Sequence, residues 1–355
     1  MNRVTPFSSF IRTGILAAAL LLPGISNGSP VMDEIVRSFE RNNNYIQPFA
    51  TIFGTAANAG WNQSAWVGKG FGFYLGIPLS VAYVSDDDRT FNGTFVDDGC
   101  KQYNNDPAHV PGSSCKEVTS YKGPTILGGK APVMHRSIYD PYYSHNIIDT
   151  LDIQMNDGQF DFPMLPFGAP QIGLSYYFTE IKARYMWNPV EDLGDSKLPI
   201  TFFGLGFQHD LRSVTRFLPV KLPVNISLFW NKTWLTADFT PGADDIKGTI
   251  SMEGTASSYG LLWGYTFGNW LEFFLETGFE SANLKTSGDL TLNADDADAN
   301  KHEHITPHVS VDGRNGLRVS LNVALHFGYD IVAGQTFGAE AGNMVNILAF
   351  RHNNR

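Results

Sequence analysis

Three glutamates recur at four-residue spacing: Glu272, Glu276 and Glu280. The interval is even, so in an extended chain all three point to one face. Lys182, Arg184 and Arg318 hold the polar positions of other alternating stretches. On the inside of a closed sheet, these six charges could line a pore and select permeants by sign. They could also brace the wall as a ladder of internal ion pairs. The ladder is the stronger reading, because buried charge is ordinarily paired.

Two other groups could carry chemistry. Asp295, Asp296, Asp298, His302, Glu303, His304 and His308 mix carboxylates and imidazoles, which suit a divalent cation. Their order matches neither the EF-hand loop nor His-Glu-x-x-His, so the stretch reads as a solvated acidic loop and no metal is assigned. His209 stands beside Asp210, with Ser213 four residues on. A hydrolase would need Ser, His and an orienting Asn or Asp within hydrogen-bond reach. No Gly-x-Ser-x-Gly elbow occurs, so His209 reads as a strand-end residue. No catalytic residue or cofactor is assigned, and the chain is not read as an enzyme. No phosphate-binding Walker loop is found.

The surrounding elements must be strands. Among 355 residues only 17% are charged, against 13% aromatic, and the formal net charge is −10. An acidic chain without a basic patch does not suit nucleic acid. Few charges and many aromatics suit a membrane, yet a mean hydropathy of −0.14 is too polar for helices in lipid. Alternation resolves the conflict. Leu317 to Tyr329 carries seven apolar residues at odd positions, interleaved with Arg318, Ser320, Asn322, Ala324, His326 and Gly328. Read as one strand through Asp330, it would extend roughly 45 Å. Similar alternation marks Phe71–Tyr83, Ile172–Phe178, Ile181–Trp187, Phe203–Gln208, Val224–Trp230, Tyr259–Phe267 and Leu271–Glu280. Gly338–Phe350, Tyr121–His135 and His304–Val311 are weaker. Leu262 breaks the pattern as an apolar residue on a polar face.

A soluble sandwich and a membrane barrel both alternate. Strand length, a polar face of Gly, Ser, Asn and Thr, and aromatics near strand ends favour the barrel. Those aromatics are Tyr83, Trp187, Trp230, Trp234, Trp270, Tyr329 and Phe350. The fold class expected is therefore all-β: a transmembrane antiparallel β-barrel of 10–14 strands, centred on twelve. Only closure satisfies every backbone group in lipid without helices.

Before the first strand the pattern changes. Arg3 and Arg12, an apolar run over Gly14–Leu22 and small residues after it describe a signal peptide over 1–28. Its removal takes two cations and leaves a formal charge of −12. Met32–Arg41 has helical spacing, and Tyr45–Asn58 is small and apolar. The segment 29–62 is thus helical or plug-like, with Tyr45, Phe49 and Phe53 as plug residues; a periplasmic cap or a first strand are the alternatives. The barrel would occupy 63–355, interrupted by a polar loop over 86–146. Export makes a disulfide between Cys100 and Cys115 reasonable, worth about 3 kcal/mol in the chain-entropy model.

An ordered series of short stretches then stands out. It runs from Asn58-Ala59-Gly60-Trp61 and Phe71-Gly72-Phe73 through Pro163-Met164-Leu165-Pro166 and Pro170-Gln171-Ile172-Gly173-Leu174. It continues with Thr179–Tyr185, Asn188-Pro189, Gly204–Asp210, Phe217-Leu218-Pro219 and Leu222-Pro223-Val224. The set resembles a family of Gram-negative outer-membrane β-barrels designated only as a domain of unknown function. Its plan is distantly similar to the FadL-type channels for fatty acids and aromatic hydrocarbons. The resemblance implies an outer-membrane location, with the lipid bilayer and the outer-membrane assembly machinery as partners. Two features depart from it: Phe350 is followed by Arg351–Arg355 rather than ending the chain, and the 86–146 loop is long.

The expected function is passive passage or binding of small molecules, hydrophobic ligands among them. The alternatives are a structural or assembly barrel with a packed lumen, and a barrel-embedded lipid hydrolase.

Overall fold

The computed structural model describes residues 46–96, 118–125, 127–129, 133–139, 147–154, 164–193, 196–215, 224–239, 246–268, 270–292, 303–306, 308–327, 329–338 and 344–354, with positions 44, 101, 104 and 105. The leader 1–28, Met32–Arg41, Tyr45, Cys100, Cys115 and Asp295–His302 lie outside the described residues. The chain forms two compact units. One contains Gln47–Ser85 and Phe162–Arg355.

That unit begins with helix α1 (Gln47–Asn58) and strand β1 (Gly72–Tyr83). The second unit, within Asp86–Asp161, holds two hairpins. β2 (Thr90–Val96) pairs with β3 (Val118–Pro124), and β4 (Val133–Tyr139) with β5 (Ile147–Gln154). The first unit resumes with β6 (Met164–Gly168), β7 (Gln171–Tyr176), β8 (Thr179–Leu193), β9 (Ser196–Asp210), a single turn α2 (Arg212–Thr215), β10 (Asn225–Phe239), β11 (Ile246–Phe267) and β12 (Leu271–Leu292). It ends with β13 (Glu303–Ile305), β14 (His308–Asp312), β15 (Gly316–His326), β16 (Tyr329–Phe337) and β17 (Met344–Asn354).

The pairings run β1-β7-β8-β9-β10-β11-β12-β15-β16-β17 and return to β1, all antiparallel. The sheet is closed. Ten strands make the ring; β6 also pairs with β1, and β13 and β14 also pair with β12. Ten is the lower bound of the expected range, below its centre of twelve. Two expected strands account for part of the difference. The stretch 121–135 belongs to hairpins of the second unit, and 303–312 only lengthens the wall beside β12. The single strand read over Leu317–Asp330 is in fact two. β15 ends at His326 and β16 starts at Tyr329, antiparallel to it, so two residues of sequence separate them. The alternation does not register the reversal, because a two-residue connection leaves the parity of the chain unchanged.

The wall is inside-out relative to a soluble protein. In β15, Arg318, Ser320, Asn322 and Ala324 are buried, whereas Leu317, Val319, Leu321 and Val323 are exposed. In β1, Phe73, Leu75, Ile77 and Leu79 are exposed and alternate with buried positions. Apolar side chains over so much outer surface need lipid in place of water. Trp270 stacks on Phe327 at 6.0 Å at one rim, where Phe71, Tyr176 and Tyr329 are also exposed. Such rings suit a membrane interface. The apolar exterior ends part-way up the longest strands. Outward positions of β12 pass from Phe273 and Phe279 to Ser281, Asn283 and Lys285, and those of β11 from Tyr259 to Ser257, Thr255 and Glu253. The two 22-residue strands therefore extend past the lipid boundary.

Candidate functional site

The interior holds the helix and the extended run that follows it. Every residue of α1 from Pro48 to Asn58 is buried. Pro48 fits the first turn, where its missing N–H costs nothing. Small residues permit close approach: a Cβ at Gly54 would collide with Ala282 of β12. Phe53 and Ala57 pack with Ala169, Phe202 and Ala256 in an upper interior core. Phe49 and Phe53 thus lie inside the barrel, while Tyr45 is outside the described residues.

The helix stops where its chemistry requires. Gly60 takes a positive φ of 66°, the left-handed position that favours glycine after a helix. The last carbonyls then find donors. The indole N–H of Trp61 donates to Ala57 O at 3.0 Å, and the Arg184 guanidinium donates to Ala59 O at 3.0 Å. A cation at a helix C-terminus also opposes the dipole there. The same guanidinium lies over the Trp61 ring at 4.0 Å, and its Nε donates to Gln171 at 2.6 Å. Trp61 lies flat against the wall because β9 presents glycines. A Cβ at Gly204 would come within 2.7 Å of the ring, and one at Gly206 within 2.8 Å.

The three glutamates receive the threaded chain on either side of Trp61, Glu280 before it and Glu276 and Glu272 after it. Glu280 accepts from Thr55 at 3.0 Å and from Arg318 at 3.1 Å. Glu276 accepts from Arg318 at 2.7 Å and from Asn62 at 2.9 Å. Glu272 accepts from Ser64 at 2.6 Å and from the N–H of Ala65 at 2.8 Å, with His326 at 3.1 Å. Lys182 donates to Asn62 at 2.7 Å and Gln208 at 2.8 Å, and lies 3.4 Å from Glu180. All six residues picked out by spacing are thus buried on one interior surface. Arg318 forms ion pairs with both Glu276 and Glu280, whereas Lys182, Arg184 and Glu272 chiefly bind the threaded segment.

Lower still, Ala65 packs among Phe229, Leu262, Phe274, Ala324 and Val332. This explains Leu262: it and Phe274 point inward as the apolar seat of Ala65. At the exit, Asp210 accepts from the N–H of Val67 at 3.1 Å and is bound by Arg212. The carbonyls of Gly68 and Lys69 accept from Phe178 and Tyr177, the turn between β7 and β8. The lumenal segment therefore continues past Asn62 to Val67. Trp61, Asn62, Ser64, Gln171, Gln208 and Asp210 all act in it without having been singled out. An inward Gly-x-Gly at 204–206 was the available sign that a large ring would lie there.

His209 faces outward at the strand end. Its Nε2 lies 2.7 Å from Ser213 Oγ, and its Nδ1 lies 2.9 Å from Thr179 Oγ1. A neutral hydroxyl stands where hydrolase chemistry places a carboxylate or amide, and Asp210 points inward to other partners. The structure does bring Ser213 to His209, but without the orienting group. Among the described residues, no three metal-ligating side chains come together.

A family model described as a family of unknown function (DUF6588) matches residues 32–342. The chain belongs to DUF6588. The matched span of this DUF6588 chain takes in the threaded segment and the wall through β16. No curated protein matches it. Solved structures similar to the DUF6588 chain include Ail, the attachment invasion locus protein of Yersinia pestis, at 9% identity over 50% of this chain and 97% of Ail, TM-score 0.26. The translocator domain of autotransporter NalP from Neisseria meningitidis is 10% identical over 81% of this chain and 89% of that domain, TM-score 0.29. The toluene transporter TodX of P. putida is 9% identical over 81% of this chain and 68% of TodX, TM-score 0.28.

Proposed function

We propose that this protein is an outer-membrane β-barrel with a packed lumen, a structural or assembly barrel rather than an open pore for small molecules. One observation carries this reading. Between Thr55 and Val67 the threaded segment is bonded to the wall at each level that lies within the lipid-facing height. Among the described residues, Lys182, Arg184, Glu272, Glu276, Glu280 and Arg318 are each engaged by the segment or by an ion pair, which opposes a charged pore lining. Passage of a hydrophobic ligand would need an apolar route, and the middle of the lumen is instead a polar collar around Trp61. The outward apolar wall, exposed on several strands, supports a membrane location.

Planar-bilayer recording tests the reading. The intact protein should show no steady conductance. A variant lacking residues 45–66 that still runs as a heat-modifiable barrel should conduct. Steady current through the intact protein would restore the passage reading, and recovery of the protein in the soluble periplasmic fraction would end the barrel reading altogether.

The lipid-hydrolase reading has the contact between His209 and Ser213 in its support and lacks an orienting carboxylate. His209→Ala is expected to cost about 1 kcal/mol in unfolding free energy, the net worth of a hydrogen bond or so. It should leave phospholipid turnover by the purified protein at background. A hydrolytic activity abolished by that substitution would overturn this assignment.

A further inference from the structure

The anchors of the threaded segment descend the wall in chain order. Gln47 donates to the Asp312 carbonyl at 3.5 Å, and Thr51 accepts from the N–H of Arg314 at 2.9 Å. Gly54 lies against Ala282, then Thr55 meets Glu280, Asn62 meets Glu276 and Ser64 meets Glu272. Val67 ends on Asp210, and Gly68 on the turn at Phe178. From Ala282 to Glu272 is ten residues of one strand, roughly 33 Å along it. The segment crosses the lumen once and does not turn back.

The two ends of the barrel differ. At the end where the segment leaves, the connections are residues 177–178, 211–224, 268–270 and 327–328, three of them of two or three residues. At the end where Gln47 enters, they are residues 84–163, 194–195, 240–245, 293–302 and 338–343, all but one of them of six residues or more. The unlipidated extensions of β11 and β12 rise at that same end. Short turns face the periplasm and longer connections face outward in barrels of this class.

We infer that the chain is threaded from outside to inside, so that Gln47 stands at the cell-surface mouth of the lumen and the chain before it enters from that side. This sidedness rests on the outer-membrane reading above; the single crossing itself does not. One consequence concerns assembly. The wall must close between β1 and β17 around a segment already in place. Another concerns opening. The segment is continuous with β1 below and with the chain before Gln47 above, so it cannot be withdrawn into the periplasm as a free plug can.

An epitope inserted after Ser38 tests the inference, with reference insertions after Gly242 at the end where Gln47 enters and after Val220 at the end where the segment leaves. Outer-membrane fractionation and heat-modifiability are checked for each variant. Antibody should reach sites 38 and 242 on intact cells and site 220 only after permeabilisation. Untagged protein gives a second measurement: trypsin added to intact cells should leave an embedded product beginning at Ser38 or Asn42. Site 38 behaving like site 220 would overturn the threading. Site 220 reached on intact cells while 38 and 242 are protected would keep the single crossing and overturn entry from the cell surface. Loss of membrane fractionation for the untagged protein would overturn the outer-membrane reading, and surface entry with it.

Discussion

Arg318→Met should lower the unfolding free energy of the barrel by about 3–5 kcal/mol, read from urea unfolding in lipid vesicles. Arg318 is buried and donates to Glu276 and Glu280 at once. Removing it leaves two carboxylates without their cation in a space closed to water. The cost is that of the orphaned charges more than of the lost pairs, because a buried ion pair gains little over the solvation it gives up. The distinction is measurable. Adding Glu276→Gln and Glu280→Gln to Arg318→Met removes the orphaned charge and should recover more than half of the loss. The amides can still accept from Asn62 and Thr55. A loss below about 1 kcal/mol in the single variant would mean that water reaches the collar and screens it, as at a surface site.

The wall was legible because a strand has only two faces. Once Leu317–Leu325 is read at period two, its inward and outward residues are both assigned, and the structure buries Arg318 and exposes Leu317 accordingly. The same reasoning put Glu272, Glu276 and Glu280 on one face. What period two cannot show is where a strand ends. The chain reverses between His326 and Tyr329 without disturbing the alternation, so β16 is hidden inside a strand that reads as too long. Nor can it show what lies opposite an inward residue. Leu262 breaks the alternation until Ala65 is placed against it, with Phe274 inward beside them. The residues 59–67 had no pattern to read, being extended without strand partners of their own. Their order comes from the wall: Glu272 holds Ser64 and Ala65, and Asp210 holds Val67. Spacing allows a pore lining or an ion-pair ladder for the six charges, and half of them instead bind the threaded segment, which spacing does not reveal.

Trp61→Ala should be the substitution that most weakens the closure, costing about 3–5 kcal/mol as a large buried aromatic lost to a cavity. The ring is 1% exposed and touches three things at once. It covers Gly204 and Gly206, donates to Ala57 O, and carries the Arg184 guanidinium on its face. Losing it frees the C-terminus of α1 and leaves an indole-sized space at mid-lumen. Flickering conductance in a planar bilayer is the expected sign, against silence for the intact protein. Gly204→Val attacks the same contact from the other side. A Cβ there falls within 2.7 Å of the ring, so the ring must shift, and overpacking costs about 1–3 kcal/mol. The pair tests the geometry better than either alone. If ring and glycine share one space, the valine fills part of the cavity left by alanine. The double variant should then be more stable than the sum of the two losses predicts, with a coupling of about 1 kcal/mol or more. Strict additivity would place Trp61 elsewhere in the folded protein and remove the wedge on which a shut lumen depends.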